Sequence, residues 1–94
     1  MFSHNEIRQL LIESIRFYNE KPRNVLIPSV QNEMSESCIR KLMNYSAATL
    51  FTRKEYTLMY IALCFVTDLS YDTGEDIGYD TEPLIDRLAK LSGL

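Results

Sequence analysis

Apolar residues return at helical intervals along most of the chain. Ile7, Leu10, Leu11, Ile15 and Tyr18 recur every three or four positions and line one face of a helix, while Arg8, Glu13, Arg16 and Glu20 fall on the other. Ser3 followed by Glu6 has the form of a capping box, in which the serine oxygen accepts a backbone N–H and the glutamate reaches back to the N–H of the cap. A first helix is therefore expected from Ser3 until Lys21-Pro22 stops it, because proline cannot continue the hydrogen-bond ladder. Residues 22–31 hold two prolines around a short apolar cluster and predict an extended connector laid against the core, with a helical turn allowed at Pro28.

The same periodicity predicts a second helix over residues 32–50, with Met34, Cys38, Leu42, Tyr45 and Thr49 on one face and Ile39, Met43 and Ala47 beside it. Its polar face would carry Glu36, Arg40, Lys41 and Asn44. Thr52 and Glu55 form a second capping box, and the segment behind it is apolar all round: Tyr56, Leu58, Met59, Tyr60, Ile61, Leu63, Cys64, Phe65 and Val66. That pattern predicts the central and most buried helix, running to about Tyr71. A buried strand is the rival reading of so many β-branched and aromatic residues, and the capping box and length favour helix. Residues 72–80, with Gly74, Gly78 and four carboxylates, predict a loop. Asp80 or Thr81 would then cap a last helix with Pro83 in its first turn, Leu84, Ile85, Leu88 and Leu91 on one face, and an end at Gly93. The expected fold is all-α, a small four-helix bundle-like single domain over residues 1–94, with a proline-containing connector between helices 1 and 2.

Composition narrows this picture without changing it. With 94 residues and 46% hydrophobic content the chain is long enough for one modest core, since a domain of this size hides roughly 60 to 70% of its unfolded surface. Cys38 and Cys64 have no CxxC pairing and sit where the pattern wants small apolar side chains, so both are expected to be reduced core residues. The N-terminal residues lack the apolar run and small-residue cleavage site of an export signal. The longest apolar stretch, residues 56–66, falls well short of the ~20 residues a membrane span needs. A cytoplasmic protein without a membrane partner is the expectation.

Charge changes the picture more. The formal net charge is −3, yet residues 55–86 hold eight acidic residues and no basic one, whereas the rest of the chain holds ten basic and five acidic residues. Within 68–82, Asp68, Asp72, Glu75, Asp76, Asp80 and Glu82 accompany Tyr71 and Tyr79. Such a patch would steer and dock a basic partner, with the tyrosines as rigid amphipathic anchors. The plainer reading is a solvated loop that keeps the protein soluble. An EF-hand is excluded by spacing: counted from Asp68 the sixth and twelfth positions are Thr73 and Tyr79, and from Asp72 they are Ile77 and Pro83, leaving at most an irregular calcium site.

Residues 29–42 resemble the turn and second helix of a helix-turn-helix DNA reader. Ser35 would cap the recognition helix, Met34 and Ile39 would be its buried anchors, and Arg40, Lys41 and Asn44 would meet DNA. Pro28 inside the first helix of that motif and Glu33 in place of the usual turn glycine depart from the pattern. Catalysis finds no constellation: His4 is the only histidine, Cys64 sits in an apolar run, Cys38 has only Arg40 and Lys41 near it, and phosphate-loop, GxSxG and HExxH motifs are missing. No cofactor, metal or catalytic residue is expected. Tyr45, Tyr56, Tyr60 and Phe65 would be core, or the walls of a small ligand pocket, and the surplus of tyrosines leaves a self-association surface and a homodimer open.

The resulting expectation is a non-enzymatic cytoplasmic interaction protein that binds and inhibits or regulates a basic macromolecular partner through the acidic segment. Its size and charge match the class of small acidic inhibitor and immunity proteins. The alternative is a DNA-binding transcriptional regulator using Arg40, Lys41 and Asn44.

Overall fold

Thr52 and Glu55 close the capping box that the sequence predicts. In the computed structural model the Thr52 hydroxyl accepts the Glu55 N–H (3.1 Å) and Glu55 Oε1 accepts the Thr52 N–H (2.8 Å). The structure describes residues 2–20, 28–74 and 81–93, with the backbone alone for 28–33 and 71–73. Four helices result, α1 (Asn5–Glu20), α2 (Pro28–Met43), α3 (Arg53–Thr73) and α4 (Glu82–Ser92), with no strand among the described residues. The fold is all-α and bundle-like.

The helix that begins at the box, α3, runs past Tyr71 to Gly74, whose φ of 75° lets it take the left-handed conformation and donate its N–H to the Ser70 carbonyl. Asp72 and Thr73, expected in a loop, are therefore helical: Gly74 is the first residue at which the turn is cheap. The expectation of burial all round α3 is corrected. Leu58, Met59, Ala62 and Leu63 are buried, but Tyr60, Cys64, Phe65 and Val66 are half-buried and Ile61 is 41% exposed. Cys64 is thus no full core residue, whereas Cys38 is; both are free thiols.

Helix α1 makes its first ladder bond from the Arg8 N–H to the His4 carbonyl (3.1 Å), which puts His4 rather than Ser3 in the cap position. Leu11 and Ile15 of the predicted stripe are buried, Ile7, Leu10 and Tyr18 of it are half-buried against the core, Ile12 is buried beside them, and the buried Ser14 hydroxyl returns to the Leu10 carbonyl (2.7 Å). Ahead of the helix, Phe2 is itself core. Its ring meets those of Phe51 (centroids 4.9 Å apart), Tyr45 (5.9 Å) and Tyr56 (6.2 Å), and Arg8 Nη1 donates to its carbonyl (2.6 Å).

Helix α2 starts at Pro28, inside the expected connector, since a proline's missing N–H costs nothing in the first turn. The rest of that connector, residues 22–27, lies outside the described residues, as does Lys21 before it. The helix ends at Met43 rather than near Leu50. Side chains take over the backbone there: the Ser46 N–H donates to Thr49 Oγ1 (2.9 Å), the Thr49 N–H to the Ser46 carbonyl (3.0 Å) and the Ala48 N–H to Ser46 Oγ (3.3 Å). This local turn satisfies groups that a continuing helix would have used.

Thr81 takes the cap position of α4, but its hydroxyl makes no cap bond. It pairs instead with the Thr67 hydroxyl of α3 (3.1 Å) in a buried contact. At the other end Gly93, with φ 84°, closes α4 beside Arg53, whose Cζ would lie 3.3 Å from a Cβ built there. Helix α4 therefore runs antiparallel to α3. Leu88 is fully buried and Leu84 and Ile85 pack on the core, while Leu91 of the predicted stripe is 40% exposed. Contacts of Phe2 with Tyr56 and of Phe17 and Tyr18 with Phe65 set α1 beside α3 in the same sense. Among the described residues α3 alone packs on all the other helices, and α4 packs only on α3.

Candidate functional site

The acidic segment is carried by two packed helices. Tyr60, Cys64 and Asp68 follow at four-residue spacing on α3 and share a face. The Tyr60 phenol is pushed up from its ordinary value, by the Cys64 thiol one turn on, then by partial burial and by Asp86 of α4. The Cys64 thiol is pushed up by burial and by Asp68, against an opposing effect of Tyr60. These influences place Asp86 near Tyr60 and Asp68 near Cys64, so carboxylates from two helices flank a half-buried row with exposed Ile61 beside it. Asp68 and Asp86 are exposed and have no ion-pair partner among the described residues. Glu82, also exposed, opens α4.

Of the other predicted acidic-surface residues, Glu75, Asp76, Tyr79 and Asp80 lie outside the described residues, as do the side chains of Tyr71 and Asp72. Sequence reasoning left out Asp86, Tyr60 and Ile61 as parts of this surface. The 60/64/68 spacing was the available signal, hidden because an apolar run reads as core.

The residues of the helix-turn-helix reading are arranged differently from that motif. Residues 28–43 form one continuous helix, so Ser35 lies mid-helix, 2% exposed, and no turn forms there for it to cap. Its proposed contact residues are also divided. Lys41 turns inward: its Nζ donates to Glu55 Oε1 at 2.6 Å, and the Ser37 hydroxyl donates to Oε2 at 3.2 Å. Glu55 is 3% exposed, so the carboxylate that starts α3 is also the anchor of α2. Burial pulls its pKa up, but the Lys41 and Thr52 hydrogen bonds outweigh that and hold it below its ordinary value. Asn44 donates its Nδ2 to the Arg40 carbonyl (3.1 Å). Arg40 faces solvent, where it meets Arg16 of α1 across an open groove also lined by Glu36, Ile39, Met43 and Asn44.

Neither thiol is arranged for nucleophilic work. Burial, then the Glu55 charge, pushes Cys38 up to about 12, against the opposing Lys41, so it stays protonated at neutral pH. Among the described residues no group of three His, Cys, Asp or Glu side chains could hold a metal ion. The aromatic set of the sequence reading is split as well. Tyr45 and Tyr56 join Phe2 and Phe51 in one cluster, whereas Phe65 packs against Phe17 and Tyr18. No described helix is long and apolar enough to cross a membrane. No protein-family model matches the chain, and neither a curated protein nor a solved structure matches it.

Proposed function

We propose that the protein is a non-enzymatic, cytoplasmic interaction module that binds and inhibits or regulates a basic macromolecular partner. The contact surface is the acidic side of α3 and α4 together with the segment that joins them: Asp68, Tyr71, Asp72, Glu75, Asp76, Tyr79, Asp80 and Glu82, extended by Asp86. One observation carries this reading. Residues 55–86 contain no cation, and within them Asp68 and Asp86 flank the Tyr60–Cys64 row from two helices without an ion-pair partner among the described residues. A potential left uncompensated in this way raises the encounter rate with a basic surface, and the half-buried aromatic and exposed Ile61 supply apolar contact that charge alone lacks.

The test is capture of partners by the tagged protein from its host, with and without nuclease and at low and moderate salt. A stoichiometric protein that survives nuclease, and is lost when Asp72, Glu75 and Asp76 are replaced by Lys, is the expected result. Parallel replacement of Asp68 and Asp86 by Lys is expected to weaken the same complex. Asp68 and Asp86 are exposed, and exposed carboxylates contribute little to stability, so the helical circular dichroism of their Lys variant should match that of the parent. A partner held equally well by the charge-reversed proteins would overturn the proposal, as would recovery of nucleic acid in place of protein.

A further inference from the structure

We infer that the groove between α1 and α2 is a second docking site, for an acidic peptide segment of a partner, independent of the acidic surface on α3 and α4. Arg16 on α1 and Arg40 on α2 enter this groove from two helices, both exposed, and neither guanidinium has a carboxylate partner among the described residues. Lys41, the neighbouring cation, is consumed by Glu55, so the pair is not part of the network that holds α2 to α3. A guanidinium presents a planar fork that matches a carboxylate with two parallel hydrogen bonds, and two forks in one groove suit a chain with spaced acidic side chains.

The remaining lining fits a peptide better than a lone anion. Ile39 is half-buried and Met43 is 62% exposed, so the groove has an apolar wall, and methionine adapts its shape to an aliphatic neighbour. The Asn44 amide nitrogen is engaged with the Arg40 carbonyl, which orients its side-chain oxygen as an acceptor, and Glu36 adds a second acceptor for peptide N–H groups. The opening measures about 400 Å³ and is shallow, which suits an extended segment lying across it and not an enclosed small molecule. Nucleic acid is the less favoured occupant: a phosphate backbone needs several cations in a row, and the groove offers two beside an apolar wall.

The experiment is a nuclear magnetic resonance titration of the labelled full chain with a short capped peptide of alternating Asp and Leu. Controls are the Lys and Leu peptide of the same pattern and a DNA duplex. The amides of Arg16, Ile39, Arg40, Met43 and Asn44 are expected to shift with the acidic peptide. Replacing Arg16 and Arg40 by Ala, both exposed, is expected to weaken that binding about tenfold, as two solvent-facing charge pairs allow. Replacing both by Glu should transfer the shifts at these residues to the Lys peptide. Unshifted groove amides with the acidic peptide, shifts of equal size with both peptides, or tighter binding of the duplex at these residues would each overturn the inference. None of these outcomes depends on Asp68 or Asp86, so the proposed acidic surface stands or falls separately.

Discussion

Lys41 Nζ lies 2.6 Å from Glu55 Oε1, and the same oxygen accepts the Thr52 N–H at 2.8 Å. A local helix cap and a bond between two helices therefore share one nearly buried carboxylate. Glu55→Ala removes the side-chain half of the capping box, the Lys41 bond and the Ser37 bond together, leaves the Thr52 hydroxyl on the residue 55 N–H, and is expected to cost about 2 to 3 kcal/mol by urea denaturation at neutral pH. Lys41→Ala leaves the cap in place and is expected to cost less. The two losses should be far from additive, because the double variant removes one shared interaction only once.

The pH dependence follows from the same group. The folded-state pKa of Glu55 lies below its ordinary value of 4.5, so the folded protein prefers the ionised form more than the unfolded chain does. Its contribution is fully present above 4.5 and is lost as pH falls through the depressed folded value. Acid titration of stability should therefore show a drop below that pH in the parent that is reduced in Glu55→Gln. Identical acid profiles for the two proteins would contradict this assignment.

Thr67 and Thr81 link the C-terminal part of α3 to the start of α4 by a buried hydrogen bond of 3.1 Å. Thr81→Val leaves the Thr67 hydroxyl buried without this partner and is expected to cost about 1 to 2 kcal/mol, and Thr67→Val a similar amount. The double Val variant should lie near either single one, since both hydroxyls are then gone. Thermal denaturation of the three variants measures this directly.

Phe2 is 7% exposed and touches three other rings, although it stands ahead of α1. Phe2→Ala should cost about 3 kcal/mol and reduce the near-ultraviolet circular dichroism of the aromatic cluster. Leu50, by contrast, is 81% exposed, and Leu50→Ala should change stability by less than about 0.5 kcal/mol. A loss at Leu50 comparable to that at Phe2 would mean that the packing is misassigned.

The two cysteines should separate by reactivity. Cys38 is fully buried with its thiol pushed up to about 12, while Cys64 is half-buried with a smaller upward push. A thiol reagent is expected to label Cys64 slowly in the native protein and Cys38 only on unfolding, as read by peptide mass spectrometry.

Where a signal is local, the chain's own pattern was sufficient. The Thr52 and Glu55 box, the stop at Gly93, the Leu11 to Ile15 stripe and the Cys38 and Leu42 face all appear where periodicity and capping put them, because neighbouring residues alone decide these features. The all-α class follows from the same periodicity. Tertiary structure decided what depends on residues distant in sequence. It buried Phe2, turned Lys41 from a solvent-facing cation into the partner of Glu55, drew Thr81 from capping to Thr67, and left Ile61 on the surface of a helix that is apolar all round. Each outcome depends on which helix lies alongside and how far its side chains reach. The segregation of charge along residues 55–86 was visible in the sequence, but Asp86 comes near Tyr60 only because α4 turns back along α3.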